Sequence, residues 1–83
     1  MTNNSGEWEK INSMTADIGD LVNIKWSKGG RFSMVNWTTG RVLKHSKNRI
    51  FIDSLIYHSI EEVPYTKIES CNRKIEADTD LGI

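Results

Sequence analysis

Cysteine and proline each occur once in this 83-residue chain. Cys71 has no partner for an internal disulfide, which fits a reducing compartment. Pro64 holds Val63 extended and interrupts strand pairing at a single place. No apolar run approaches the roughly 20 residues that a membrane helix needs, so no membrane partner is expected. The opening MTNNSGEWEK lacks the basic and apolar regions of a secretion signal. Together these absences point to a cytoplasmic protein. His45, His58 and Cys71 lie too far apart in sequence for a local metal or redox motif. SKGGR lacks the Gly-Lys-Ser/Thr order of a phosphate loop, and Glu61 and Glu62 are neighbours that fall on opposite faces of a strand. The expectation is therefore of no enzyme, no metal and no cofactor.

The most informative shortage is of acidic residues. Between Leu21 and Ile52 there are none, against seven basic ones, although the net charge of the whole chain is zero. Lys25, Lys28, Arg31, Arg41, Lys44, Lys47 and Arg49 share this window with Trp26, Phe32 and Trp37. The carboxylates lie before and after it. Such segregation says more than the total. It arises either because a basic face meets a polyanion or because acidic strands pair beside basic ones and cancel them.

What is present is a small soluble domain. Ile, Val, Leu and aromatics are well supplied between residues 18 and 68, which excludes disorder throughout. A chain of this size buries only a modest core. Trp8, Ile11, Met14 (or Thr15) and Ile18 recur at helical spacing, with Asn4 and Glu7 placed to cap, so residues 1–18 are read as a lead-in containing a short helix or an irregular segment. From Leu21 the period changes to two. Val22, Ile24 and Trp26 share one face, as do Ile50 and Ile52 further on. Gly29-Gly30 marks a turn, Gly40 a bulge or bend within TTGRVLKH, and Lys47-Asn48 another turn. A tight 3₁₀ turn is expected over Tyr65–Ile68, and residues 72–83 form a polar, acidic tail expected to fray. Short strands at roughly 10–12-residue spacing read as a small, mainly β barrel over residues 19–71.

GDLVNIKW, then GRV, RIFID and EEVPYTKIES, resembles the pattern of small SH3-like barrels of the Tudor and KOW kind. In those families a Gly-Asp enters the first strand and a GxV segment lies in the second. A short 3₁₀ turn, which PYTKIE would supply, precedes the last strand. The resemblance implies a five-stranded SH3-like β-barrel. A Tudor-type aromatic cage would draw on Trp26, Trp37, Phe51 and Tyr57.

Two functional readings follow. In the first, the barrel is a non-catalytic module binding DNA or RNA without sequence preference. Lys28 and Arg31 flank the Gly-Gly turn, Lys44, Lys47 and Arg49 flank the next, and Arg41 lies between; Lys and Arg neutralise phosphates with release of counterions. Phe32 and Trp37 are the stacking candidates. This reading requires the cations of the two turns to gather on one patch. Trp26 belongs to the core by its alternation, and Arg49 has Asp53 on its own strand face as a ready partner. In the second reading, Leu43, Phe51, Leu55 and Tyr57 form an apolar strip for a protein partner. A monomer is the expected state in either case.

Overall fold

The computed structural model describes residues 7–29 and 34–75. They form one antiparallel sheet of six strands: β1 (Trp8–Lys10), β2 (Leu21–Ser27), β3 (Val35–His45), β4 (Arg49–Ser54), β5 (Ile60–Pro64) and β6 (Ile68–Lys74). The order across the sheet is β1-β6-β2-β3-β4-β5. The strands from β2 to β5 thus form a meander, and the chain then returns through β6 to pair with β2.

The fold is mainly β, as the alternation indicates, but it departs from a five-stranded barrel. There are six strands, and the hydrogen-bonded ladder does not close, leaving β1 and β5 as its edges among the described residues. The sheet also extends past the expected bounds of 19–71, because β1 pairs with β6 as far as Lys74.

The expected N-terminal helix is replaced by β1 and a 3₁₀ turn at Ser13–Thr15. The apolar spacing was misleading, because Met14 and Ile18 are 61% and 70% exposed and no common face is buried. Strand pairing satisfies the backbone instead: Glu9 sits opposite Arg73, and Ile11 donates its N–H to the Cys71 carbonyl. Asn12, not Asn4, caps the turn, its Oδ1 accepting from the Met14 N–H. Asn4 lies outside the described residues. No helix among the described residues is long and apolar enough to cross a membrane.

Inward-facing side chains of β2, β3, β4, β5 and β6 make the core: Val22, Ile24, Trp26, Val42, Ile50, Ile52, Val63 and Cys71, with Ala16 closing one side. Burial pushes the Cys71 thiol up to about 11, with help from the negative charge of Asp20. Trp26 is 7% exposed, and its Nε1–H donates to Thr38 Oγ1 at 2.9 Å, so the indole is both packed and satisfied.

Gly40 serves a different purpose from the expected bend. The register shift in β3 falls between Val42 and Lys44, which puts Leu43 on the bulge. Gly40 itself lets β4 come close, since a Cβ there would overlap the carbonyl of Asp53. Pro64 ends edge strand β5, where its missing N–H disrupts no neighbour.

The turn at Tyr65–Lys67 has the expected 3₁₀ form, and its first residue is held through both backbone and side chain. Tyr65 donates its backbone N–H to the carbonyl of Asn48 in the β3–β4 turn at 3.0 Å. Its ring stacks against His45, whose Nδ1 lies 2.5 Å from the Tyr65 hydroxyl and whose Nε2 lies 2.6 Å from the Ala16 carbonyl. A carbonyl can only accept, so Nε2 carries the proton and Nδ1 accepts from the hydroxyl. Burial raises the pKa of that hydroxyl and keeps it a donor.

Candidate nucleic-acid interface

The basic residues of the window sort into two kinds by what faces them. Arg49 is neutralised: its Nη1 donates to Glu62 at 2.9 Å, so its partner is on the adjacent strand β5 and not Asp53 on its own. Lys25 has Glu69 at 3.8 Å. Both pairs are solvent-exposed and contribute little to stability. Arg41 donates to the Gly19 carbonyl at 3.1 Å, at the Leu21 end of β2. That is roughly 20 Å along the strand from Lys28, at about 3.3 Å per residue. Lys44 sits over the Phe51 ring at 4.8 Å, which covers that half-buried aromatic. Cancellation by acidic neighbours therefore accounts for part of the window only.

Lys28 and Lys47 are exposed and have no carboxylate within ion-pair distance among the described residues. The fold adds a third such cation from outside the window, Lys67. A Cβ on Gly29, where φ is +78°, would lie 2.9 Å from Lys67 Nζ, so the ammonium rests against the base of the β2–β3 hairpin. The other end of the same 3₁₀ turn is bonded to Asn48, next to Lys47. Three residues of 3₁₀ helix rise about 6 Å. The short turn thus touches both basic turns, through the Tyr65–Asn48 bond on one side and Lys67 Nζ beside Gly29 on the other. Sequence reasoning missed Lys67 because it lies 18 residues beyond Arg49 in an otherwise acidic stretch. Arg31 and Phe32 lie outside the described residues.

Lys28 also borders a cleft of about 640 Å³ at the end of the sheet. Trp26, Asn36, Trp37, Tyr57 and Glu61 are among the residues that line it. Lys28 Nζ stands 6.0 Å from the Trp26 ring centroid and Lys25 Nζ stands 5.9 Å from that of Trp37. Trp37 lies opposite Lys25 in the β2–β3 register, on the outer face, and is 50% exposed; Tyr57 is 67% exposed. Within the cleft, Asn36 Nδ2 is buried and has no hydrogen-bond partner among the described residues.

The residues of the alternative apolar strip fall on β3, β4 and the turn that follows β4. Leu43 sits on the β3 bulge and Phe51 lies under Lys44. Leu55 bonds through its N–H to the Thr39 carbonyl, and with Tyr57 it belongs to the turn beside the cleft. The cleft therefore takes Lys28 and Trp37 from one expected set and Tyr57 from the other. Comparison with known protein families, with curated proteins and with solved structures yields no match.

Proposed function

We propose that this protein is a non-catalytic nucleic-acid-binding module whose ligand lies in the aromatic cleft and meets Lys28, Lys67 and Lys47. The carrying observation is that Lys28, Lys47 and Lys67 have no carboxylate within ion-pair distance among the described residues, and that Lys28 borders a cleft with two half-open aromatics. Trp37 and Tyr57 offer faces to unpaired bases, worth roughly 1–3 kcal/mol per base. The lysines meet the phosphates that follow. The return of β6 onto the first strand of the meander, through a 3₁₀ turn, supports an SH3-like relationship for the fold. The reading is of a cytoplasmic protein, in keeping with a lone thiol buried in the core.

The test is fluorescence anisotropy with a labelled single-stranded oligonucleotide across a salt series. Three phosphate contacts give a slope of log K against log salt near −2, from about −0.7 per contact. Lys67→Glu should flatten that slope, and Trp37→Ala should weaken binding about tenfold or more at every salt. Arg41→Gln, at the far end of β2, should leave both unchanged. A flat salt response, or equal losses for Arg41→Gln and Lys67→Glu, refutes the reading.

A second reading has its own observation. Val35, Ile56, Tyr57 and Ile60 are exposed apolar side chains around or beside the cleft. Such a rim suits a protein partner. That partner would bind with little salt response and would be lost on Ile56→Asp.

A further inference from the structure

Strand β5 is an edge of the sheet, and the hydrogen bonds around it fix which of its backbone groups are free. Ser54 donates its N–H to the Ser59 carbonyl at one end of the β4–β5 pair, and Tyr65 donates to the Asn48 carbonyl at the other. Bonded pairs alternate along an antiparallel ladder, so Glu61 and Val63 turn their N–H and C=O groups toward β4. Ile60 and Glu62 turn theirs away from it. Neither makes a backbone bond outside the sheet among the described residues, and both are exposed. Pro64 follows in the same phase, with no N–H to leave unpaired. The other edge, β1, is only three residues long.

We infer that β5 takes up an extended peptide as a further antiparallel strand, with a lysine or arginine of the peptide opposite Glu61. This goes beyond the nucleic-acid reading and gives the protein-docking reading, on which it rests, a partner of definite chemistry. The N–H and C=O groups of Ile60 and Glu62 are the template for such a strand. Glu61 then occupies a non-hydrogen-bonded position, where facing side chains approach most closely. Its side chain shares the inner face with Val63 and lines the cleft. It is half-buried and has no cation within ion-pair distance among the described residues, so a facing cation supplies the missing counter-charge. Glu62 already has Arg49. The peptide residues on either side of the cation project to the opposite face, where Ile60 is 61% exposed and an apolar neighbour covers it. A second copy of the chain is the poorer occupant. Two β5 strands joined about a two-fold axis through these same groups would set Glu61 against its own counterpart.

The experiment follows the backbone amides of the isotope-labelled full chain by NMR during titration with the blocked peptide Thr-Val-Lys-Val-Thr. Before peptide is added, the Ile60 and Glu62 amides should exchange with solvent faster than those of Glu61 and Val63, and the peptide should slow them. A peptide with Glu in place of Lys should bind roughly two- to tenfold more weakly. The Lys peptide N-methylated at both valines should not bind. Ile60→Pro removes an N–H that bonds nothing within the fold, so it should abolish peptide binding and leave thermal unfolding close to wild type. Glu61→Lys should reverse the preference between the Lys and Glu peptides. Equal affinity for those two peptides, or binding of the N-methylated one, overturns the inference. So does protection of Ile60 and Glu62 by heptauridylate, or protection that rises with protein concentration alone, which would put a second copy on the edge. Peptide shifts confined to Val35, Ile56 and Tyr57 overturn strand addition and leave docking on the apolar rim standing. A peptide that binds nowhere overturns the inference whatever the oligonucleotide result.

Discussion

Replacing Gly40 with alanine tests the account of how β3 and β4 hold the cleft. A Cβ at this position would overlap the carbonyl oxygen of Asp53, and it would lie 2.7 Å from the carbonyl carbon and 2.9 Å from Ile52 Cγ2. The obstacle is backbone, so no side-chain rotation relieves it. The two strands must separate, and Gly40 is paired with Ser54, with Val42 against Ile52 in the core two residues on. Overpacking of this kind costs about 1–3 kcal/mol, and each ladder hydrogen bond stretched adds about 1 kcal/mol. A total of about 3–5 kcal/mol is to be set against a whole-domain stability of about 4–12 kcal/mol, from 0.05–0.15 kcal/mol per residue. Gly19→Ala is the internal comparison. Gly19 has nothing within 4 Å, but its φ of +96° strains any side chain, for about 1–2 kcal/mol. Urea unfolding followed by tryptophan emission should give a lower midpoint for both variants and a much lower one for Gly40→Ala, with the slope unchanged. The same variant should lose ligand binding, because Leu55 is bonded to Thr39 next to Gly40 and begins the turn that carries Tyr57. A Gly40→Ala protein within about 1 kcal/mol of the wild type, or more stable than Gly19→Ala, would show that the close approach of β4 is not what requires glycine.

Two further outcomes are expected. Thr38→Val keeps the shape but removes the acceptor for the buried Trp26 N–H, and denaturant unfolding should show a loss of about 1–3 kcal/mol, which Thr38→Ser should largely restore. Cys71 should resist thiol reagents at pH 8 in the folded protein, because burial first and Asp20 second raise its pKa from 9.0 to about 11. The folded state thus favours the neutral thiol: its contribution to stability is complete below pH 9 and is lost as pH rises from 9 toward 11, a loss that Cys71→Ala should remove from the stability–pH curve.

The parts of the fold that were legible in the sequence are those governed by near neighbours. Alternation in Val22, Ile24 and Trp26 and in Ile50 and Ile52 reads directly as two strands with buried faces, and all five are core residues. Lys47-Asn48 turns the chain as its composition suggests, with the Ser46 N–H bonded to the Arg49 carbonyl. What could not be read depends on pairing between distant segments. Glu9 finds Arg73 across the β1–β6 ladder, and no local signal near Trp8 announces a partner strand so far along the chain. Helical spacing of Trp8, Ile11, Met14 and Ile18 is a periodicity that requires one neighbour to bury it, and the core takes Ile11 but leaves Met14 and Ile18 exposed. Arg49 pairs with Glu62 because the β4–β5 register sets Glu62 opposite Phe51, two residues from Arg49, whereas Asp53 lies four residues along the strand. The cleft itself joins positions 26, 36, 37, 57 and 61 through three strands and a turn. Aromatic and cationic composition flagged Lys28 and Trp37, but only tertiary structure adds Tyr57 from one side and Lys67 from another.

The gathering of cations has a topological reason that composition cannot supply. In an antiparallel meander, successive turns leave a strand from opposite ends, so the Gly29 turn and the Lys47 turn are separated by the whole of β3. Their union depends on the chain returning through Tyr65–Lys67 across the space between them. That turn has few ways to move. Its first residue is bonded to Asn48, its tyrosine hydroxyl is accepted by His45, and His45 is in turn anchored to the Ala16 carbonyl. Lys67 is thereby carried to Gly29 by bonds within the protein itself, so the proposed ligand would meet it with little entropy left to lose. On the nucleic-acid reading proposed above, the window of seven cations is not the unit that meets the ligand. The unit is the turn, because it selects Lys28 and Lys47 from the window, adds Lys67, and leaves Arg49 to Glu62 and Lys25 to Glu69.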